Sequence, residues 1–131
     1  MAVGELLLDR TLPAEAPTVP LVRRDVARVL VELALSRDRA ADVLLALTEA
    51  CTNVVVHAYR DAPGSVRVSL MLGDALVIEV QDYGAGMRAW DETRATGLGL
   101  PLIAAMSDAL QLTSNADGGT CVRMTFALDG S

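Results

Sequence analysis

The sequence contains no lysine, so all eleven of its basic residues are arginine. Catalysis or phosphate binding by a lysine is therefore excluded, and with it the P-loop type of nucleotide site. Aromatic residues are also few, with one tryptophan, two tyrosines and one phenylalanine, so aliphatic side chains must form the core. The net charge of -6 argues against direct nucleic-acid binding, which needs a basic face.

Cysteine is scarce, since Cys51 and Cys121 are the only two and lie far apart. Two such residues make neither a disulfide framework nor a metal cluster, and free thiols in a reducing compartment are the simpler interpretation. We find no apolar run of membrane-spanning length and no charged-then-apolar leader. We therefore expect a soluble, cytoplasmic protein without membrane contacts, folded as one domain over residues 1–131.

Glu49, Asn53 and His57 recur every four residues in a helix predicted from about residue 38 to 59. This spacing places them on one helix face, opposite a face of apolar residues. Asparagine inside a helix is unfavourable by a few tenths of a kcal/mol, which suggests that something outside the helix uses Asn53. The Asn53 oxygen is suited to Mg²⁺, and Glu49 to accepting a proton from an attacking hydroxyl. A solvated face for the pair, and a structural role for His57, are the alternatives.

Two glycine motifs stand at predicted element boundaries. Asp82-Tyr83-Gly84-Ala85-Gly86 follows a strand, where Asp82 offers an acceptor for an amino group and the glycines allow close backbone approach. Gly97-Leu98-Gly99 opens a helix, whose free N–H groups favour phosphate. Each motif alone fits a simple turn or an unliganded helix start equally well.

The hydrophobic pattern predicts an α+β fold in which helices cover one face of a mostly antiparallel sheet. The predicted elements are an edge strand at 3–9, a helix at 21–35, the helix at 38–59 capped by Ser36, a hairpin at 66–81, a helix at 97–109, and strands at 110–114 and 120–128. Residues 88–96 are polar and aperiodic, so we expect a mobile loop there.

In chain order, these motifs resemble those of the GHKL ATPase superfamily, over about residues 19–128. Within it the chain is most similar to the bacterial anti-sigma-factor serine/threonine kinases. Glu49 to Asn53 with His57-Ala58-Tyr59 resembles the N-box, Asp82 to Gly86 the first glycine box, and Gly97 to Gly99 the second. Gly119-Thr120 resembles the small motif whose threonine helps to hold adenine.

The resemblance implies a two-layer α/β sandwich that binds ATP and Mg²⁺. In that arrangement Glu49 is the general base, and Asn53 is the Mg²⁺ ligand. Asp82 accepts from the adenine amino group, and Thr120 supports the same edge of the ring through water. The resemblance assigns adenine packing to Gly84 and Gly86, and the nucleotide lid and phosphate-binding helix start to Gly97, Leu98 and Gly99.

The function implied is that of an anti-sigma factor that phosphorylates Ser or Thr on an antagonist protein and holds a sigma factor inactive. Relatives of this type often form homodimers. Many also carry a basic residue around the second glycine box, whereas Gly97-Leu98-Gly99 contains none; Arg88 or Arg94 could serve the phosphates instead. That departure motivates an alternative, a non-catalytic nucleotide-binding module that regulates a partner by contact alone.

Two other branches of the superfamily fit the chain poorly. A histidine kinase needs a phospho-accepting histidine on a separate helical segment, and the only histidine here is His57, inside the nucleotide motif. That interpretation requires the accepting histidine to lie on another chain. The gyrase and mismatch-repair branches use a catalytic lysine from a second domain, and this chain has no lysine.

Overall fold

The computed structural model describes residues 4–59, 63–84, 99–114 and 118–128. In these ranges the chain forms three α-helices, five strands and one π-helical turn, which continues directly from the second helix. The helices are α1 (Thr18–Glu32), α2 (Arg37–Asn53) and α3 (Gly99–Met106), and the π turn is Val54–Ala58. The strands are β1 (Glu5–Pro13), β2 (Ser65–Leu72), β3 (Ala75–Asp82), β4 (Ala109–Ser114) and β5 (Thr120–Ala127).

The five strands form one sheet in the order β1-β2-β3-β5-β4, and every neighbouring pair is antiparallel. The predicted hairpin of β2 and β3 is confirmed, with Val68 opposite Val80. The expected edge strand β1 is also confirmed, but it extends to Pro13, which pairs with Ser65. A proline is tolerated there because an edge strand has one side without a hydrogen-bonding neighbour.

The core lies between the helices and one face of the sheet. On β3, the fully buried Leu76, Ile78 and Val80 alternate with side chains that are only half-buried. Each large aliphatic side chain buried in this way contributes about 1.5–3 kcal/mol. The helices add a matching set of buried residues, namely Val22, Val26, Leu30, Val43, Ala46, Leu47, Ala50, Cys51, Val54, Ala58 and Ile103. The predicted α+β architecture, with helices on one face, is therefore confirmed.

The other face of the sheet carries ion pairs between neighbouring strands. The Arg67 guanidinium donates to both Asp9 carboxylate oxygens, at 2.9 and 2.8 Å, and this hydrogen bonding lowers the pKa of Asp9. Arg123 lies 3.9 Å from Glu79 on the adjacent pair of strands. Such exposed pairs contribute at most about 1 kcal/mol each to the stability of the fold.

Helix α1 begins three residues before the predicted start at Leu21. Pro20 falls in the first turn, where its missing N–H removes no intrahelical bond. The Thr18 hydroxyl donates to the Pro13 carbonyl at 2.6 Å and so joins the helix start to β1. At the other end, Ala34 adopts a φ of 56°, and this left-handed residue ends the helix at Glu32 rather than at the predicted Leu35.

The prediction that the third helix continues to Ala109 is wrong. It ends at Met106, and Ala109 pairs with Thr125 as the first residue of β4. The Asp108 N–H donates to the Thr125 carbonyl at 2.8 Å, so the chain already joins the sheet at that residue. Hydrogen bonding along β5 overrides the helical pattern of a short apolar stretch.

Two side chains anchor the start of α2. The Ser36 hydroxyl accepts from the Arg39 N–H at 3.1 Å, which confirms Ser36 as the cap. The Arg39 guanidinium donates to the Ala127 carbonyl, forms an ion pair with Asp108, and lies 5.5 Å from the centre of the Phe126 ring. The Asp108 carboxylate also accepts from the Ala127 N–H at 2.6 Å, so both Arg39 and Asp108 bond to the backbone of Ala127. The helix start is thus tied to the last strand.

By length and composition, the helical segment Arg37–Ala58 could cross a membrane, with 22 residues and a mean hydropathy of 1.3 in its most apolar window. In this fold Val43, Leu47 and Ala50 on the same segment have at most 1% of their surface exposed. They pack into the core beneath the sheet. Core helices commonly combine such length and hydropathy.

Replacing Ser36 by Ala should lower the free energy of unfolding by about 1 kcal/mol, because the first turn of α2 loses its side-chain acceptor. Ser36→Asn keeps an acceptor at the same position and should retain most of the stability. Urea denaturation followed by circular dichroism measures both variants. Equal stability of wild type and Ser36→Ala would show that the cap contributes nothing.

Candidate functional site

Asp82 ends β3 and is a charged residue with none of its surface exposed. Its Oδ1 accepts from the Gly84 N–H at 3.0 Å and from the Thr120 N–H at 3.2 Å. The second bond follows from the register, because Gln81 pairs with Cys121 and the next residues along are Asp82 and Thr120. Burying a carboxylate is costly unless hydrogen bonds compensate it, so these two amides position the group as well as stabilise it.

Two glycines allow three backbone segments to meet around Asp82. A Cβ on Gly84 would lie 2.0 Å from the Ala58 carbonyl oxygen at the end of the π turn. A Cβ on Gly119 would lie 2.2 Å from the Asp82 carbonyl oxygen, and Gly119 also has a φ of 95°. No other residue type fits either place without moving backbone. The ends of the π turn and of β3, and the start of β5, are therefore packed directly on one another.

Two buried polar atoms have no hydrogen-bond partner within the described ranges. They are Asn53 Nδ2, in a side chain 5% exposed, and Thr120 Oγ1, in a side chain with no exposed surface. An unmet buried polar group costs about 1–3 kcal/mol, and in native proteins it usually indicates a bound water, an ion or a functional role. Both atoms belong to residues that the sequence motifs had singled out.

The π turn begins immediately after Asn53 and changes the face on which later residues lie. Glu49 and Asn53 remain one α-helical turn apart, as predicted, with Glu49 half-buried. A π-helix bonds each N–H to the carbonyl five residues earlier, so the four residues from Asn53 to His57 fall short of a full turn. His57 lies within this wider turn and is half-buried. Short π segments within helices occur frequently at functional sites.

Tyr59, the residue after the π turn, is a site residue that sequence reasoning assigned no role. Its hydroxyl donates to the Ser65 carbonyl at 2.5 Å and accepts from the Tyr83 N–H at 2.9 Å. It therefore links the end of the helical segment to the start of β2 and to the residue after Asp82. The sequence feature that could have indicated a role is an aromatic residue at the end of the N-box-like motif, in a chain with very few aromatics.

The structure brings the predicted residues Asp82, Gly84 and Thr120 into direct hydrogen-bond contact. Asn53 is connected to them by the π turn, whose last residue touches Gly84. Gly99 is the first residue of α3, which packs against α2. The remaining predictions lie outside the described residues: these are Gly86, Gly97, Leu98, Arg88, Arg94 and the loop 88–96.

The two cysteines are both free. Cys51 lies in the core, and burial raises the pKa of its thiol to about 12. The thiol is therefore protonated at neutral pH, which excludes Cys51 as a nucleophile although it lies between Glu49 and Asn53. The expectation of free thiols without a disulfide is confirmed.

The donors and acceptors of Asn53, Asp82 and Thr120 indicate which ligands the site suits. An asparagine can ligate through its oxygen while its nitrogen donates to an anionic acceptor, so an unpaired Asn53 Nδ2 is suited to a phosphate beside a cation. A buried carboxylate and a threonine hydroxyl are suited to the polar edge of a purine. The residues present therefore fit a nucleotide with a divalent cation.

Comparison with known proteins identifies the family. The family described as "Histidine kinase-like ATPase domain" matches residues 12–126. The chain is 30% identical over 134 residues to "Serine-protein kinase RsbW" of Bacillus mycoides, which covers 90% of this chain and 82% of that protein. It is 31% identical over 140 residues to the protein of the same name from Bacillus velezensis, with 94% and 86% covered.

A solved structure with the same fold is that of the RsbU and RsbW domains of Rv1364c from Mycobacterium tuberculosis. It superimposes with a TM-score of 0.74 over 92% of this chain, at 24% identity. The chain spans about a third of that longer protein, 32% of its length. The expected two-layer fold and the resemblance to GHKL ATPases are confirmed. The chain belongs to the histidine kinase-like ATPase family, among relatives named as RsbW serine-protein kinases.

Proposed function

We propose that this protein is a Mg²⁺- and ATP-dependent serine/threonine kinase that phosphorylates an antagonist protein and, as an anti-sigma factor, sequesters a sigma factor. The observation that carries the proposal is the buried polar cluster around Asp82, with the unpaired atoms Asn53 Nδ2 and Thr120 Oγ1. Family membership and the names of the relatives support it.

Adenine recognition is assigned to the end of β3 and the start of β5. Asp82 is positioned by two backbone amides and accepts from the exocyclic amino group of adenine. Thr120 has a buried hydroxyl that can both donate and accept, which suits a bridging water at the same edge of the ring. Gly84 is assigned to adenine packing through its backbone, which the missing side chain allows to lie against the Ala58 carbonyl. Gly86 is assigned the same packing role.

Phosphate and metal binding are assigned to the helical layer. Asn53 holds the cation through its side-chain oxygen, and the start of α3 at Gly99, with Gly97 and Leu98 before it, receives the phosphates. A Mg²⁺ ion held there would neutralise charge on the phosphate oxygens. Glu49, one turn before Asn53, takes the proton from the attacking serine or threonine hydroxyl. The hydroxyl oxygen bonds to the γ-phosphorus while the bond from that phosphorus to the β-phosphate oxygen breaks, and ADP leaves.

The protein partners are inferred from the resemblance to anti-sigma-factor kinases and not from a surface of this chain. The substrate is an antagonist protein with a serine or threonine hydroxyl, and the sequestered protein is a sigma factor, which places the reaction in the cytoplasm. In the alternative function, a nucleotide-binding module that acts by contact alone, the same site binds ATP without transferring phosphate. The lack of an arginine in Gly97-Leu98-Gly99 favours this alternative.

Replacing Asp82 by Asn should weaken Mg-ATP binding about tenfold to a hundredfold, because an amide N–H then faces the amino group and a buried unmade hydrogen bond costs about 1–3 kcal/mol. Isothermal titration calorimetry gives the Kd. Asp74→Asn, in the exposed turn between β2 and β3, is the matched control and should bind ATP as wild type does. Equal affinity of Asp82→Asn and wild type would remove Asp82 from adenine recognition.

Replacing Glu49 by Ala should leave the Kd for Mg-ATP within about twofold of wild type and slow phosphate transfer by about 10²–10⁴-fold, the usual contribution of a general base. Transfer is followed as the mass increase of a co-purified antagonist. Glu32→Ala, on the exposed side of α1, is the matched control. Transfer at the wild-type rate by Glu49→Ala would exclude the base role, and binding without any transfer by wild type would favour the contact-only module.

A further inference from the structure

The Tyr59 hydroxyl is held between two strands. It donates to the Ser65 carbonyl at 2.5 Å, where β2 begins, and accepts from the Tyr83 N–H at 2.9 Å, just after β3 ends. A single hydroxyl thus satisfies one backbone acceptor and one backbone donor. Phenylalanine would leave both backbone groups without this partner.

The Tyr59 ring is held by packing as well as by hydrogen bonds. A Cβ on Gly64 would lie 2.0 Å from the ring, and a Cβ on Gly84 would lie 3.2 Å from it. Two glycines on separate segments therefore leave the space that the ring occupies. The side chain is half-buried and packs against the core cluster.

The π turn delivers Tyr59 to this place. Asn53 ends the α-helix, and the five residues that follow form the wider turn, so the chain leaves the helix with Tyr59 in extended backbone geometry, at φ −122° and ψ 117°. The Ala58 carbonyl meets Gly84 and the Tyr59 hydroxyl meets Tyr83, one residue away. The helix that carries Asn53 therefore ends directly on the segment 82–84.

Consecutive amides after Asp82 are restrained from two sides. The Gly84 N–H donates to the Asp82 side chain, and the Tyr83 N–H donates to Tyr59. The Tyr83 N–H belongs to the peptide unit that begins at Asp82, so the bond to Tyr59 restrains the backbone that carries the Asp82 side chain. Tyr59 follows Asn53 through the π turn, so it connects the segment of Asn53 to the segment of Asp82.

We infer that Tyr59 is a positioning residue of the nucleotide site, which orients Asp82 towards adenine through the Tyr83 amide. The inference rests on the proposed function, since it requires Asp82 to contact the base. Tyr59 itself does not contact the nucleotide in this proposal. Its hydroxyl acts only through the backbone next to Asp82, so its effect on ATP affinity depends on the Asp82 carboxylate.

A double-mutant cycle tests this dependence, because residues that act through one another are non-additive whereas independent ones add. Tyr59→Phe should weaken Mg-ATP binding about fivefold to tenfold in the wild-type background and less than about twofold in the Asp82→Asn background. Binding is measured by calorimetry at a temperature well below the unfolding midpoint of every variant. Thermal unfolding followed by circular dichroism gives the midpoints.

Ser107→Ala is the matched control, because it also removes a part-buried hydroxyl that donates to a backbone carbonyl, that of Ile103 at 2.8 Å, at a residue assigned no part in nucleotide binding. It should change ATP affinity less than about twofold in either background. If Tyr59→Phe lowers the unfolding midpoint yet leaves ATP affinity unchanged, or weakens binding equally in both backgrounds, Tyr59 is a stabilising residue only and the inference fails. A wild-type protein that does not bind Mg-ATP would instead refute the proposed function.

Discussion

The carboxylate of Asp82 is buried without exposed surface, and the arrangement of the site depends on how this charge is satisfied. The Gly84 and Thr120 amides donate to it, which requires the end of β3 and the start of β5 to lie side by side. That requirement in turn depends on Gly119, since a side chain there would collide with the Asp82 carbonyl. The sheet register, the left-handed glycine and the polar cluster are thus parts of one constraint.

The π turn is the second constraint, since it joins the helical layer to that cluster. A regular α-helix beyond Asn53 would turn residues 58 and 59 away from their present directions, and the contacts of Ala58 and Tyr59 with the segment 82–84 would be lost. Val54 and Ala58 are nevertheless buried, so the turn also serves the core. The stability of the fold and the geometry of the site therefore depend on the same few residues.

The β2–β3 hairpin and the antiparallel sheet were predictable because period-two alternation and a two-residue turn are local signals. The Ser36 cap was predictable for the same reason. The ends of α1 and α3 were not, since Ala34 adopts a left-handed conformation and Ala109 pairs with β5. Both outcomes depend on contacts with distant segments. In the site, the motifs identified Asp82, Gly84, Asn53 and Thr120. They also included Tyr59, but they gave it no role.

The amino-acid sequence by itself determined which residue types are available and where they recur. It has no lysine, it places Glu49 and Asn53 one helical turn apart, and it places Asp82 between a strand and two glycines. These are properties of neighbouring residues, and local periodicity expresses them. Only the tertiary structure decided that Thr120 lies next to Asp82, that the helix widens after Asn53, and that Tyr59 reaches Ser65 and Tyr83. The contacts of Thr120 and Tyr59 join segments that are separated along the chain. Packing of the helices against the sheet selects these contacts and the wider turn.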